Sequence, residues 1–126
     1  MRVMVFETTK DRAKLIGDLL DNYRYKIFVN YQSDTAMNDV QEVKPSLIIL
    51  NASIRPDSGI SFLQKLKNDP KFAKIPVILI SNFQSQEIAD KVAALPNVDY
   101  LVEPFKIKNF RHIVERWINF RSLYVN

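Results

Sequence analysis

The chain contains no cysteine, which excludes a disulfide framework, a thiolate metal site and a cysteine nucleophile, and is consistent with a reducing compartment. Its only two glycines, Gly17 and Gly59, leave no glycine-rich loop for a nucleotide or flavin phosphate. Its single histidine, His112, has no second ligand at metal spacing and is predicted to be an exposed residue. No apolar run reaches the roughly 20 residues of a membrane span. The N-terminus becomes acidic at Glu7, too early for a signal peptide. We therefore predict a soluble, cytoplasmic protein.

The 126 residues suffice for one domain, which is predicted to span 1–126. The composition, with 47% hydrophobic and 25% charged residues, is typical of a globular protein. The net charge of +4 is uneven. Residues 1–103 carry 13 basic and 13 acidic side chains, whereas residues 104–126 carry five basic side chains against Glu115 alone. This basic segment is either a solvated helix face or a surface for nucleic acid, an anionic membrane or an acidic protein.

Five short apolar runs alternate with segments of helical periodicity. The runs are largely continuous rather than alternating, which is typical of parallel strands covered on both faces. They predict strands over 3–6, 26–31, 47–50, 77–80 and 100–102. Thr8 with Asp11 predicts a capping box for the first helix, and Ser85 predicts the N-cap of the fourth. The last helix is predicted over about 108–123, with four side chains facing inward: Phe110, Val114, Trp117 and Ile118.

This order predicts a (βα)₅ chain that right-handed crossovers fold into a three-layer α/β sandwich. In such sheets the functional crevice opens at the carboxyl ends of the strands. The residues that directly follow the predicted strands are therefore the candidate site.

Three segments carry a family resemblance by their order and spacing. Residues 45–51, Pro-Ser-Leu-Ile-Ile-Leu-Asn, are followed by Gly59 eight residues on. Residues 68–81 and then 99–105, Asp-Tyr-Leu-Val-Glu-Pro-Phe, complete the set. Together they resemble the receiver domain of bacterial response regulators, over about residues 3–118. The resemblance implies a flavodoxin-like fold with strand order 2-1-3-4-5 and a role in two-component or phosphorelay signalling.

The resemblance also implies a phosphorylation pocket. In the family, two acidic residues and an aspartate hold Mg²⁺, the aspartate accepts a phosphoryl group, and a hydroxyl and a lysine bind its oxygens. Mapped onto this chain, Glu7 and Ser81 keep an acid and the hydroxyl. Thr8 replaces the second acid, Asn51 the phosphoacceptor and Glu103 the lysine. Tyr100 matches the family's switch aromatic, or is an ordinary packing residue.

These replacements remove the chemistry of the pocket. A neutral amide is a poor nucleophile, and Mg²⁺ prefers charged oxygen ligands, of which two are lost. Glu103 would repel a phosphoryl group where the family has a cation. We therefore expect a pseudo-receiver with no catalytic residues, no enzyme activity, no small-molecule substrate, no cofactor and weak or absent Mg²⁺ binding.

Three alternatives remain open for the degenerate pocket. Glu7 and Glu103 could form an internal ion pair with Lys10, which is the alternative we favour because ion pairs need less geometry than a metal cage. They could instead bind a cation weakly with Asn51, or one glutamate could stay partly protonated beside the other.

The last helix carries the strongest interaction signal. Apolar residues at spacings of four, three and four are bordered by arginines, a composition typical of protein interfaces. The predicted face comprises Arg111, Ile113, Arg116, Trp117, Phe120 and Tyr124. The family commonly uses the face formed by its fourth helix, fifth strand and fifth helix for dimers and targets. The alternative is that the helix only packs on its own sheet.

We therefore favour a phosphorylation-independent receiver that acts by binding a protein partner or by dimerisation. The first alternative is residual phosphotransfer to Ser81 or another acceptor. The second is weak nucleic-acid binding by the basic last helix, although no helix-turn-helix or aromatic RNA signature supports nucleic acid as a partner.

Overall fold

The computed structural model describes residues 1–21, 23–32, 34–55 and 58–125, with side chains as far as Ile118. Ten elements alternate along the chain. The strands are β1 (Arg2–Phe6), β2 (Lys26–Asn30), β3 (Leu47–Asn51), β4 (Val77–Ser81) and β5 (Val98–Val102). The helices are α1 (Lys10–Leu19), α2 (Ala36–Val43), α3 (Gly59–Asn68), α4 (Gln86–Ala93) and α5 (Ile107–Val125).

The five strands form one parallel sheet in the order β2-β1-β3-β4-β5. This confirms the predicted α/β fold and strand order. The predicted strands are all present, and the largest boundary error is at β5, which begins at Val98 rather than at residue 100. The central strands β3 and β4 are buried throughout, whereas the edge strands β2 and β5 are partly exposed because each lacks a neighbour on one side.

Alternate side chains of each central strand enter two separate cores. Met4, Phe6, Ile48 and Leu50 pack with α2, α3 and α4 on one face of the sheet. The residues between them, such as Val3, Val5 and Ile49, pack with α1 and α5 on the other face. Full burial of such a side chain contributes about 1.5–3 kcal/mol, so the two cores hold the sheet and its five helices together.

The first helix begins one residue later than the capping prediction allows. Thr9, not Thr8, is the N-cap, and its side chain accepts a hydrogen bond of 3.2 Å from the backbone N–H of Arg12. The predicted capping box of Thr8 and Asp11 is therefore wrong, because Thr9 has the extended backbone that a cap requires. Ser85 caps α4 as predicted.

The last helix is nineteen residues long, whereas the other four helices of the described ranges have eight to ten residues each. Phe110 and Val114 are fully buried, and Trp117 and Ile118 are half-buried against the same core, as predicted. Within the described ranges, no helix has the length and apolar character needed to cross a membrane.

Candidate functional site

The parallel sheet brings the ends of four strands to one edge. Glu7, directly after β1, is fully buried, and Asn51 and Ser81, the last residues of β3 and β4, are 7% and 1% exposed. Glu103 follows β5 and is half-buried. Thr8 is exposed and contributes its backbone N–H, which lies 3.0 Å from Glu7 Oε1. The five predicted pocket positions therefore lie at the carboxyl edge of the sheet, where sequence reasoning placed them.

Glu7 is the centre of this pocket. Its Oε1 accepts hydrogen bonds from Asn51 Nδ2 at 2.8 Å and from Arg12 Nε at 3.1 Å. The other side of the Asn51 amide is also engaged, because Oδ1 accepts from the backbone N–H of Ser53 at 2.8 Å. Asn51 is therefore held with its amide nitrogen toward the carboxylate, an arrangement that an aspartate could not make at this position.

Arg12 joins the two glutamates of the pocket. In addition to its contact with Glu7, its Nη2 donates to Glu103 Oε1. The hydrogen bond to Glu103, together with the charge of Glu7, raises the pKa of Arg12 against the opposing effect of burial. A guanidinium with its planar fork of donors is well suited to bridging two carboxylates.

The predicted ion pair therefore exists, but Lys10 is not its cation. With Thr9 as the N-cap, Lys10 is the first helical residue and is exposed, whereas Arg12 is the third. Helical side chains tilt toward the N-terminus, so Arg12 reaches back over the end of β1. Arg12 is a site residue that sequence reasoning missed, because the assignment depends on a helix start that was predicted one residue too early.

Gly59 permits a close approach at the same edge. A Cβ at this position would lie 2.5 Å from the carbonyl oxygen of Asn51 and 2.8 Å from Cα of Ala52. Only glycine avoids this overlap, and its N–H donates to the carbonyl of Ala52 at 3.0 Å. The start of α3 is thereby held against the turn that follows β3 and positions Asn51.

The hydroxyl of Ser81 is directed into the connection between β4 and α4. Ser81 Oγ donates to the carbonyl oxygen of Phe83 at 2.8 Å and accepts from the Phe83 N–H at 3.3 Å. The hydroxyl of Tyr100 donates to the same carbonyl at 3.3 Å. The backbone carbonyl of Phe83 therefore connects the pocket hydroxyl of Ser81 with the predicted switch aromatic Tyr100.

Comparison with known proteins identifies the family. The response regulator receiver domain matches residues 3–115. The chain belongs to the response regulator receiver domain family. Its structure is similar to the signal receiver domain of a Luxo repressor protein from Vibrio parahaemolyticus, with a TM-score of 0.85, 23% identity, and coverage of 97% of this chain and 92% of the other.

Two sequence relatives show the range of proteins that carry such a domain. A protein-glutamate methylesterase/protein-glutamine glutaminase of Methanospirillum hungatei is 28% identical over 115 residues, which cover 90% of this chain but 34% of that enzyme. The polar-differentiation response regulator DivK of Brucella anthropi is 22% identical over 116 residues, covering 92% of this chain and 94% of DivK. The chain spans 34%, 16% and 12% of the methylesterase, of protein RcaC and of the sensor kinase TmoS.

A further relative shows what a receiver pocket can hold. The receiver domain of sensor histidine kinase PA1611 from Pseudomonas aeruginosa was solved with a magnesium ion in its active site cleft; it has a TM-score of 0.80 and 18% identity, with coverage of 94% of this chain and 97% of that one. The residues at the carboxyl edge of the sheet in this receiver domain do not fit Mg²⁺. Glu7 presents its Oε1 to three nitrogen donors, on Thr8, Arg12 and Asn51, so Oε2 is the one oxygen of this carboxylate without a described hydrogen-bond partner. Within the described part of the chain, no three acidic or histidine side chains are grouped at a possible metal site.

The predicted interaction face of this receiver domain is organised by Asp99, a residue of β5. Both carboxylate oxygens of Asp99 accept a hydrogen bond from Arg116 Nη2. Its Oδ2 also accepts a hydrogen bond of 2.6 Å from Trp117 Nε1. The Arg116 guanidinium also lies over the Trp117 ring, with its Cζ 5.5 Å from the ring centroid. Sequence reasoning assigned Arg116 and Trp117 to this face and missed Asp99, because the contact joins a strand to a helix seventeen residues later.

The remaining members of the predicted face differ in position. Ile113 is half-buried against the core shared by α1 and α5, and Arg111 is half-buried with its Nε enclosed. Phe120 and Tyr124 have side chains outside those that the structure describes. Arg116 and Trp117 therefore carry the described part of this face.

Proposed function

We propose that this receiver domain signals in the cytoplasm without being phosphorylated, by binding a protein partner or a second copy of itself. The observation that supports this proposal is the Arg12 guanidinium bonded to both Glu7 and Glu103. A phosphorylation pocket needs a nucleophilic oxygen, a metal ion and a cation for the transferred group. Here the two carboxylates that remain are already bonded to a cation of the domain itself.

The electrostatics of Glu103 support the same proposal. A phosphoryl group at the end of β3 would face a carboxylate at the end of β5, and like charges at about 4 Å repel by roughly 4 kcal/mol at an effective dielectric constant near 20. Asn51 presents its nitrogen to Glu7 and provides no anionic oxygen. Residual transfer to Ser81 is disfavoured because this hydroxyl is 1% exposed and bonded to Phe83.

The proposed output surface is the α4–β5–α5 face, centred on Arg116 and Trp117. Trp117 is a large aromatic held in one orientation by Asp99, and pre-ordered aromatic and arginine side chains are typical centres of binding energy. A partner that prefers one conformation of this face would shift the domain toward that conformation, without a covalent mark. Because Asp99 neutralises Arg116, this face is less basic than the sequence suggests, which disfavours nucleic acid as the partner.

Exposure of the domain to a small phosphodonor and Mg²⁺, followed by intact-mass analysis, tests the proposal. We expect no mass gain for the wild type. The matched control is a variant that restores the family pattern, Thr8→Asp with Asn51→Asp and Glu103→Lys, for which we expect a gain of one phosphoryl group. A stable gain of the same size on the wild-type chain would overturn the proposal.

A pull-down with a variant carrying Trp117→Ala and Arg116→Glu tests the output face. We expect the variant to lose partners or self-association that the wild type retains. Lys71→Met, at an exposed position after α3, is the control and should behave as the wild type. Equal binding by all three proteins would place the output elsewhere.

A further inference from the structure

A small apolar groove lies between the first helix and the start of the last one, beside the pocket. Its volume is about 260 Å³. Its apolar wall is formed by Leu15, Ile16, Leu19, Pro104, Phe105 and Ile107. Arg12 and Glu103, the ion pair described above, line it as well and are its only charged lining residues in the described part of the chain.

Two features indicate that this groove accepts an apolar group from solution. Leu15 and Ile107 are 55% and 52% exposed, which is unusual for large aliphatic side chains that lie along one concave surface. The volume is close to the lower end of the range for small-molecule pockets, roughly 300–1,000 Å³, so it suits a ligand of about ten non-hydrogen atoms.

The charge around the groove favours an anion. Ile107 also borders a second, open surface groove along α5 that is lined by Lys108, Arg111 and His112, with Glu115 as the acidic member. Glu115 accepts a hydrogen bond from the Tyr23 hydroxyl at 2.8 Å. An approaching anion therefore meets a positive potential at the Ile107 edge before it reaches Arg12.

We propose that this groove binds a small amphiphilic monocarboxylate, with its apolar chain along Leu15 and Phe105 and its carboxylate on Arg12. The described bonds of Arg12 use Nε and one Nη2 hydrogen, and a guanidinium has five N–H donors. The ligand carboxylate replaces Glu103 on this fork. Glu103 is 24% exposed and can turn to solvent when it is displaced.

Binding at this groove acts on the pocket through the same side chain. Arg12 contacts Glu7, and Glu7 contacts Asn51, so a ligand that moves Arg12 perturbs the buried hydrogen bonds at the end of β3. The site shares Arg12 and Glu103 with the proposed function, but it requires neither a protein partner nor the absence of phosphorylation.

Titration of the ¹⁵N-labelled domain with octanoate, followed by NMR, tests this site. We expect saturable shifts at Leu15 and Ile107 and smaller ones at Thr8 and Asn51, with a dissociation constant of about 1 mM for a ligand of this size. Leu15→Asp places a like charge in the groove at an exposed position and should weaken binding at least about tenfold. The matched control Tyr31→Asp, at another exposed hydrophobic residue, should bind octanoate as the wild type does.

Glu103→Gln separates this site from simple apolar adsorption. The variant loses the competing carboxylate, so octanoate should bind several-fold more tightly while octanol binds unchanged. Octylammonium that binds as tightly as octanoate, or octanoate shifts that do not saturate, would overturn the proposal. Retention of the protein by anionic phospholipid vesicles, lost in Leu15→Asp, without saturable octanoate binding would replace it with a membrane surface.

Discussion

Arg12 is a partly buried cation and Lys67 is a buried one, and their surroundings shift their pKa values in opposite directions. Arg12 lies at the carboxyl edge of the sheet between two carboxylates, and its pKa is raised. Lys67, near the end of α3, is 7% exposed and donates to the carbonyl oxygens of Ala73 at 3.0 Å and Ile75 at 2.5 Å. Burial without a described countercharge lowers the pKa of Lys67 to about 8.

The difference shows what each cation does. Arg12 provides a charge that the pocket needs, because without it Glu7 would be a buried carboxylate beside a second one. Lys67 provides hydrogen-bond donors for two carbonyls in the connection to β4, and a neutral amine has two N–H bonds for the same purpose. The positive charge is therefore required at Arg12, whereas at Lys67 it lowers the stability of the folded domain.

Arg12→Met should have the largest effect. The substitution leaves Glu7 buried without its countercharge, and we expect a loss of about 2–3 kcal/mol in the free energy of unfolding, because the arginine side chain is one-third exposed. Urea denaturation, monitored by the fluorescence of Trp117, measures this change in the free energy of unfolding. Lys14→Met, on the same helix with a 76% exposed side chain, is the control and should change stability by less than about 0.5 kcal/mol. An Arg12→Met variant as stable as this control would contradict the assigned role.

Lys67→Met should change the pH dependence of stability. The unfolded lysine keeps a proton up to its ordinary pKa of 10.5, whereas the folded one loses it near 8, so the wild type becomes more stable as pH rises between these values. We expect the free energy of unfolding of the wild type, relative to that of Lys67→Met, to increase by about 1–2 kcal/mol between pH 7.5 and 10.5.

The control for this experiment is Lys71→Met, which removes an exposed lysine from the neighbouring connection. Denaturation series at matched ionic strength should show a pH-independent difference for this variant. A difference for Lys67→Met that stays constant with pH would mean that the folded and unfolded states bind this proton equally.

Glu103→Gln should have the smallest effect on stability. The pair with Arg12 is partly exposed on both sides, and such pairs contribute about 0–1 kcal/mol. Comparison with Arg12→Met under the same conditions separates the two contacts of Arg12. If Glu103→Gln is the more damaging of the two, Glu7 is not the carboxylate that requires Arg12.

The fold follows from local patterns in the sequence, and the contacts of the site do not. Continuous apolar runs such as residues 47–50 and 77–80 can be buried only within a covered parallel sheet, so β3, β4 and their neighbours were predictable. The positions at the strand ends, including Glu7 and Asn51, followed directly from the strand boundaries.

The partners of those positions depend on three-dimensional detail. Lys10 and Arg12 are both basic residues of the first turn of α1, and only the identity of the cap, Thr9, decides which reaches Glu7. Likewise Asp99 and Trp117 belong to different elements, and no periodicity in the sequence links them. Such contacts depend on how α1 and α5 pack on the sheet, which short-range patterns do not specify.

The most direct test of the account is an NMR titration of the wild-type domain with beryllofluoride and Mg²⁺. If Arg12 is bonded to both carboxylates of the pocket and Asn51 provides no anionic oxygen, the amide resonances of Thr8, Ala52 and Ser81 should not shift beyond those caused by Mg²⁺-free salt. Saturable shifts of these resonances that require both components would show that the pocket still binds a phosphoryl mimic, and would contradict the account.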